Sequence, residues 1–179
     1  MSPRAAEHRE PAADPEAASS PLGVRPAPVT VVFAEDHPLY RDGLARALGS
    51  HPGLRLVGEA CEGAGALGLI EELEPDVALL DVKMPGLDGV EVGRRVAASE
   101  GLPTRVVLLS AYLDPSLIAQ GLAAGAAGYV GKDATREEIC AAVLRVGRGG
   151  TAFSDSAREG LVQGLERLIR YDDGGTTDP

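Results

Sequence analysis

The side chains with the most chemical potential stand just beyond short apolar runs. Glu35-Asp36 follows Val29-Thr30-Val31-Val32-Phe33-Ala34, and Asp81 closes Asp76-Val77-Ala78-Leu79-Leu80. Ser110 follows the run Arg105 to Leu109, and Lys132 comes just past Ala127 to Val130. If these runs are strands of one parallel sheet, their carboxyl ends share an edge, which is where open parallel sheets bind ligands. Three carboxylates, one hydroxyl and one ammonium then converge. Packed carboxylates repel, and keeping them ionised requires a cation. A hard divalent ion answers that need: Mg2+ takes one or two protein carboxylates and completes its shell with water and phosphoryl oxygens. The cluster therefore predicts a metal and a phosphoryl group together. Asp81, at the end of a buried strand, is the candidate nucleophile, forming an aspartyl phosphate. Lys132 would pair with one phosphoryl oxygen and the Ser110 hydroxyl would donate to another. Each residue also has a plainer use, Asp81 as a turn or N-cap, Glu35-Asp36 as complements to a helix dipole, Lys132 as a solvated surface cation. Capping, however, gives no reason for a cation to face three anions at four strand ends.

The elements that must hold these groups are legible as alternating β and α patterns. Strands are expected at 29–34, 54–59, 76–81, 105–109 and 127–130. Helices are expected at 38–48, 64–73, 90–98, 115–124 and 135–147, with Gly49 stopping the first. Leu39, Leu44 and Leu48, then Ala66, Leu69, Ile70 and Leu73, and later Ile139, Val143 and Val146, supply the inward faces. Five strands alternating with five helices imply an α/β, doubly wound, five-stranded parallel sheet, because right-handed crossovers put helices on both faces. Residues 1–28 hold six of the 13 prolines among Ala, Glu and Ser and read as a disordered tail. Residues 29–150 form the domain. Residues 151–179 carry an amphipathic helix, with Leu161, Leu165 and Leu168 on one side, and a linker-like end. That stripe either packs back on the domain or pairs with its copy in a homodimer, and a short helix that is marginal alone favours packing back.

Composition excludes several classes. The 179 residues, 44% hydrophobic, suit one domain with some extra, and the net charge of −10 has the wrong sign for a protein that grips nucleic acid through its phosphates. Arg94-Arg95 is the only adjacent basic pair. No run approaches the roughly 20 apolar residues of a membrane helix and no signal peptide is visible, so the expected location is the cytoplasm, with no membrane partner. Cys61 and Cys140 match no metal spacing and read as reduced core residues. His37 reads as a residue of the first helix's N-terminus and not as a ligand.

Four strings now carry a resemblance: Phe33-Ala34-Glu35-Asp36-His37-Pro38-Leu39-Tyr40-Arg41-Asp42-Gly43-Leu44, Leu80-Asp81-Val82-Lys83-Met84-Pro85-Gly86-Leu87-Asp88-Gly89, Leu109-Ser110-Ala111-Tyr112, and Gly128-Tyr129-Val130-Gly131-Lys132-Asp133-Ala134. Over about residues 29–150 the chain resembles the receiver domain of two-component response regulators, in the branch whose members usually carry a LuxR-type helix-turn-helix. The resemblance implies the flavodoxin/CheY-like strand order 2-1-3-4-5. It implies that Asp81 accepts a phosphoryl group from a sensor histidine kinase. Asp36 would bind Mg2+ directly, Glu35 mainly through water, and the main-chain carbonyl of Lys83 would add a ligand. Lys132 and Ser110 match the lysine and hydroxyl that hold the phosphoryl group, and Tyr129 matches the aromatic switch residue, expected to turn inward as Ser110 moves toward the new phosphoryl oxygen. Lys83 and Tyr112, each two residues past a site residue, lie at the rim where water would attack and are expected to slow hydrolysis.

Members of this branch continue into a DNA-binding domain. Residues 154–179 carry six acids against three arginines and fit no helix-turn-helix, so this chain by itself is not expected to bind DNA specifically. Two readings follow, a stand-alone receiver acting through protein contacts and a transcription factor cut before its DNA reader. A receiver is a signalling switch rather than an enzyme, although it catalyses its own phosphotransfer and dephosphorylation. The enzyme rival, a haloacid dehalogenase-type phosphatase, wants a second carboxylate two residues after the nucleophile, where this chain has Lys83. A third possibility, a degenerate receiver serving only as a scaffold, would normally have lost part of the pocket, and Asp36, Asp81, Ser110 and Lys132 are all present.

Overall fold

The computed structural model describes residues 26–155, 157–159 and 161–163. Chain order is β1 (Val29–Ala34), α1 (Pro38–Ser50), β2 (Leu54–Ala60), α2 (Gly63–Leu73), β3 (Val77–Asp81), α3 (Gly89–Ala98), β4 (Arg105–Ser110), α4 (Pro115–Ala123), β5 (Gly128–Gly131), α5 (Arg136–Gly147) and β6 (Ala152–Phe153). The sheet is wholly parallel in the order β2-β1-β3-β4-β5-β6.

The strands are apolar on both faces because each face is roofed by helices. Val32, Ala34, Ala78, Leu80, Val106 and Leu108 face a core with Ala66 and Ile70 of α2, Val92 and Val96 of α3, and Ile118 of α4. Val31, Phe33, Leu79, Val107 and Leu109 face the other core, with Leu44 and Leu48 of α1 and Ile139 and Val143 of α5. The helices start where side chains meet their free N–H groups: Asp88 accepts from Glu91, Asp114 from Ser116 and Leu117, and Thr135 and Glu138 form a reciprocal capping box. His37 caps α1, its Nδ1 accepting the Tyr40 N–H at 3.4 Å.

The structure departs from expectation at three places. Gly49 does not stop α1, which runs through Ser50 and is capped by His51. Nothing packs where a Gly49 side chain would be, so this exposed glycine neither blocks nor ends the helix. The sheet has six strands, not five: after the turn at Gly149, whose φ is +90°, Ala152–Phe153 pairs with Gly128 and Tyr129. A two-residue strand is too short to show period-two patterning. Cys140 is buried as expected, but Cys61 is exposed. The region after 150 packs back as its stripe suggested, with Ala157 fully buried and Leu161 against the α2–α4 core. Residues 155, 157–159 and 161–163 are helical. The expected tail, up to residue 25, and the Leu165 and Leu168 positions that a homodimer reading rests on lie outside the described residues.

Candidate functional site

Parallel register brings the strand ends level. Ala34 pairs with Leu80, Asp81 with Leu109 and Ser110 with Gly131. The ladder then continues past the strands, with Val82 N–H donating to Leu109 at 2.9 Å and Lys132 N–H to Ser110 at 2.8 Å. Glu35, Asp36, Asp81, Ser110 and Lys132 therefore line one open cavity at the carboxyl edge, together with Lys83, Tyr112, Tyr40 and Arg136.

Lys132 stands at its centre. Its Nζ lies 2.7 Å from Glu35 Oε2 and 3.1 Å from Asp81 Oδ2. Glu35 is fully buried; its Oε1 accepts the His37 N–H at 3.0 Å, and Oε2 has no hydrogen-bond partner besides the lysine. Arg41 donates to the Glu35 carbonyl at 3.1 Å and pins that turn. Asp81 Oδ1 accepts the Lys83 N–H at 3.3 Å. Burial, and then the charge of Glu35, push the Asp81 carboxyl up to about 6 despite the hydrogen bond from Lys132. Burial works to lower the Lys132 ammonium's pKa, but bonds to Glu35 and Asp81 outweigh it and hold the group above its usual value. One oxygen from each of Glu35, Asp36 and Asp81 lies within 4.8 Å of the others. Asp36 is exposed while the other two are buried, so solvent reaches the cluster from the Asp36 side. The all-oxygen donor set, with three acidic side chains brought together, fits a hard divalent cation.

Ser110 lies under the cavity. Its hydroxyl donates to the Tyr112 carbonyl at 2.7 Å and accepts the Tyr112 N–H at 3.2 Å, so it is turned toward the β4–α4 loop. Tyr129, expected to turn inward on phosphorylation, already lies inside. It is fully buried already, its hydroxyl unpaired, and burial holds its phenol above the usual value. Gly121 of α4 provides the room, since a Cβ there would press on Leu108 and the Tyr129 ring. At the rim, Lys83 Nζ sits 5.1 Å from the centroid of the Tyr112 ring, which is 65% exposed.

Sequence reasoning thus named every polar member of the cluster, but it missed two residues that shape it. Gly89 opens α3 directly against Asp81: its N–H donates to Val82 at 3.0 Å, and a Cβ there would overlap the Asp81 carbonyl. Tyr40 places its ring 4.9 Å from Lys132 Nζ. A glycine at a helix start is a weak signal, and nothing in the spacing of the first helix, whose inward face was read as Leu39, Leu44 and Leu48, singled out Tyr40.

A parallel α/β sheet with an acidic pocket and a paired lysine at its carboxyl edge defines a class, and comparison with known families names it. The chain belongs to the response regulator receiver domain family, which matches residues 31–144. Among curated relatives, "Probable transcriptional regulatory protein NarL" of Mycobacterium tuberculosis is 48% identical over 146 residues, covering 82% of this chain and 65% of the relative. "Response regulator GacA" of Pseudomonas aeruginosa is 39% identical over 134 residues, covering 75% and 62%. The chain thus spans less than two thirds of the length of these relatives. Among solved structures, the signal receiver domain of the Mycobacterium tuberculosis NarL response regulator shares 51% identity at a TM-score of 0.67, covering 69% of this chain and 99% of that one. A LuxR-family two-component response regulator from Aurantimonas shares 27% at a TM-score of 0.72, covering 79% and 99%. Among the described residues no helix is long and apolar enough to cross a membrane.

Proposed function

We propose that the chain is a phosphorylation-controlled switch of the cytoplasm that takes a phosphoryl group from the phosphohistidine of a sensor kinase onto Asp81. The observation that carries this reading is the buried triangle of Glu35, Asp81 and Lys132 beside Asp36. An Asp81 carboxylate oxygen attacks phosphorus as the P–N bond of the donor breaks and the imidazole leaves. Lys132 exchanges its contact with Asp81 for one with a phosphoryl oxygen while keeping Glu35. Asp36 and Asp81, with the main-chain carbonyl of Lys83, would hold magnesium directly, and Glu35, whose oxygens already meet the His37 N–H and the Lys132 ammonium, would contribute through water. A divalent cation held there would supply positive charge beside the phosphoryl oxygens.

The Ser110 hydroxyl leaves the Tyr112 carbonyl to donate to the phosphoryl group, freeing the loop that begins α4. Because Tyr129 is already inside, the change it relays is a new partner for its hydroxyl and not a turn of the ring. The chain is a switch with self-catalysed transfer and slow self-dephosphorylation rather than a turnover enzyme. The names of its relatives favour an output in gene expression.

The test is incubation with acetyl phosphate or beryllofluoride and Mg2+. Wild type should give a slowly hydrolysed adduct that Asp81→Asn lacks. Repeated turnover of acetyl phosphate would make the chain a phosphatase, and no response to either reagent would make it a scaffold.

A further inference from the structure

The Lys132 ammonium has three N–H bonds and three neighbours. Two are the carboxylates of Glu35 and Asp81; the third is the ring of Tyr40, its centroid 4.9 Å from Nζ. The lysine side chain is only 17% exposed, so the ring stands where water would solvate a surface ammonium. Tyr40 is itself held firmly. It is the third residue of α1, its N–H is bonded to the His37 cap, and one helical turn on, Arg136 of α5 lies across Gly43, where a Cβ would overlap the guanidinium. The Tyr40 backbone is thus fixed in α1, and its side chain lines the same cavity as Arg136 of α5, the helix that follows Lys132. Burial, then the charges of Glu35 and Asp81, push the phenol up to about 12 against the opposing charge of Arg136, so the ring stays neutral at any physiological pH.

The geometry points to Tyr40 as a positioning residue that holds the Lys132 ammonium at the phosphoryl-binding position. This role rests on the phosphoryl-accepting reading above. An ammonium on a flexible four-carbon stem is anchored in the resting site by two carboxylates. Once Asp81 is phosphorylated the lysine loses one of them, and Glu35 alone leaves the stem free to pivot toward that buried acid. The negative face of an aromatic ring attracts a cation without accepting its proton, and unlike a third carboxylate it does not repel the arriving phosphoryl oxygens. The third contact therefore keeps one N–H direction open for phosphate while excluding water.

Two variants separate ring from bulk. Tyr40→Phe keeps the ring face, whereas Tyr40→Leu keeps an apolar side chain on α1 and removes it. In the unphosphorylated full chain, proton NMR should show the Lys132 side-chain resonances shifted upfield by the ring in wild type and Tyr40→Phe, and returned to ordinary positions in Tyr40→Leu. With acetyl phosphate and Mg2+, Tyr40→Leu should slow adduct formation about two- to fivefold, the scale of one cation–π contact, and Tyr40→Phe should restore it. Unchanged Lys132 shifts in Tyr40→Leu, or a Tyr40→Phe as slow as Tyr40→Leu, overturns the proposal. A wild type that forms no adduct while keeping the shifted lysine overturns the phosphoryl reading and the role with it, but leaves the contact proven.

Discussion

Lys132 stands nearer to Glu35, at 2.7 Å, than to Asp81, at 3.1 Å. Glu35 is the more deeply buried acid, so the lysine is anchored on the residue that does no chemistry and reaches toward the one that does. Removing it leaves the acids without their cation. Lys132→Ala should lower the stability of the metal-free protein by about 2–3 kcal/mol at pH 7.5, just under the roughly 3–5 kcal/mol for breaking a fully buried pair because the lysine is partly solvated. Millimolar Mg2+ should recover more stability in the variant than in wild type. Thermal melts with and without EDTA check both, and equal Mg2+ responses would contradict the account.

The same cluster sets a pH dependence of defined sign. Asp81 is raised to about 6 from an ordinary 3.8. A carboxyl raised on folding holds its proton more tightly in the native state, so its contribution to stability is complete below 3.8 and is lost as pH climbs through 6. Asn imitates the protonated form. In EDTA, Asp81→Asn should exceed wild type in stability at pH 7.5 by on the order of 2–3 kcal/mol, and the difference should close near pH 4. Denaturant titrations at the two pH values measure it. A wild type that is the more stable at pH 7.5 would show that Lys132 outweighs burial.

How far the sequence carried this site depended on the kind of signal. Asp81 and Ser110 are legible because each ends a run of β-branched, alanine or leucine residues, and Lys132 because it follows the short run Ala127 to Val130; parallel pairing leaves such ends no other edge. Tyr40 is not, since its contact joins α1 to a residue beyond β5 and no periodicity reports a pairing between elements 92 residues apart in number. Tyr129 was identified as a position but misjudged in state, because the room for its ring comes from a missing Cβ on α4. Leu161 behaved as its helical spacing suggested and packed back, whereas β6 was too short to announce itself.

The rim pair makes a kinetic prediction. Lys83 Nζ rests 5.1 Å from the centre of the exposed Tyr112 ring, and the two line the cavity mouth above Asp81. A water attacking the aspartyl phosphate in line must approach through this mouth, and a bulky ring held by a cation obstructs it. Tyr112→Ala should shorten the lifetime of the phosphorylated protein by about threefold or more while leaving adduct formation in place. Decay of label from purified phosphoprotein gives the rate, and an unchanged lifetime would remove the ring from any part in protection.

Two glycines in helices should respond to alanine in opposite ways. Gly68 lies in the middle of α2 with nothing within 4 Å of a new Cβ, so Gly68→Ala should raise stability by about 0.5–1 kcal/mol through helix propensity. Gly89 opens α3 where a Cβ would overlap the Asp81 carbonyl, so Gly89→Ala must displace backbone at the nucleophile itself. That variant should lose about 1–3 kcal/mol, the usual range for overpacking a tight site. It should also slow adduct formation by roughly tenfold, since the reacting carboxylate is moved relative to Lys132. Chemical denaturation and acetyl phosphate kinetics on both variants separate the effects. The expected pattern is a gain confined to stability at Gly68 and a loss in both measurements at Gly89, and a Gly89→Ala protein with wild-type kinetics would show that the α3 start does not set the position of Asp81.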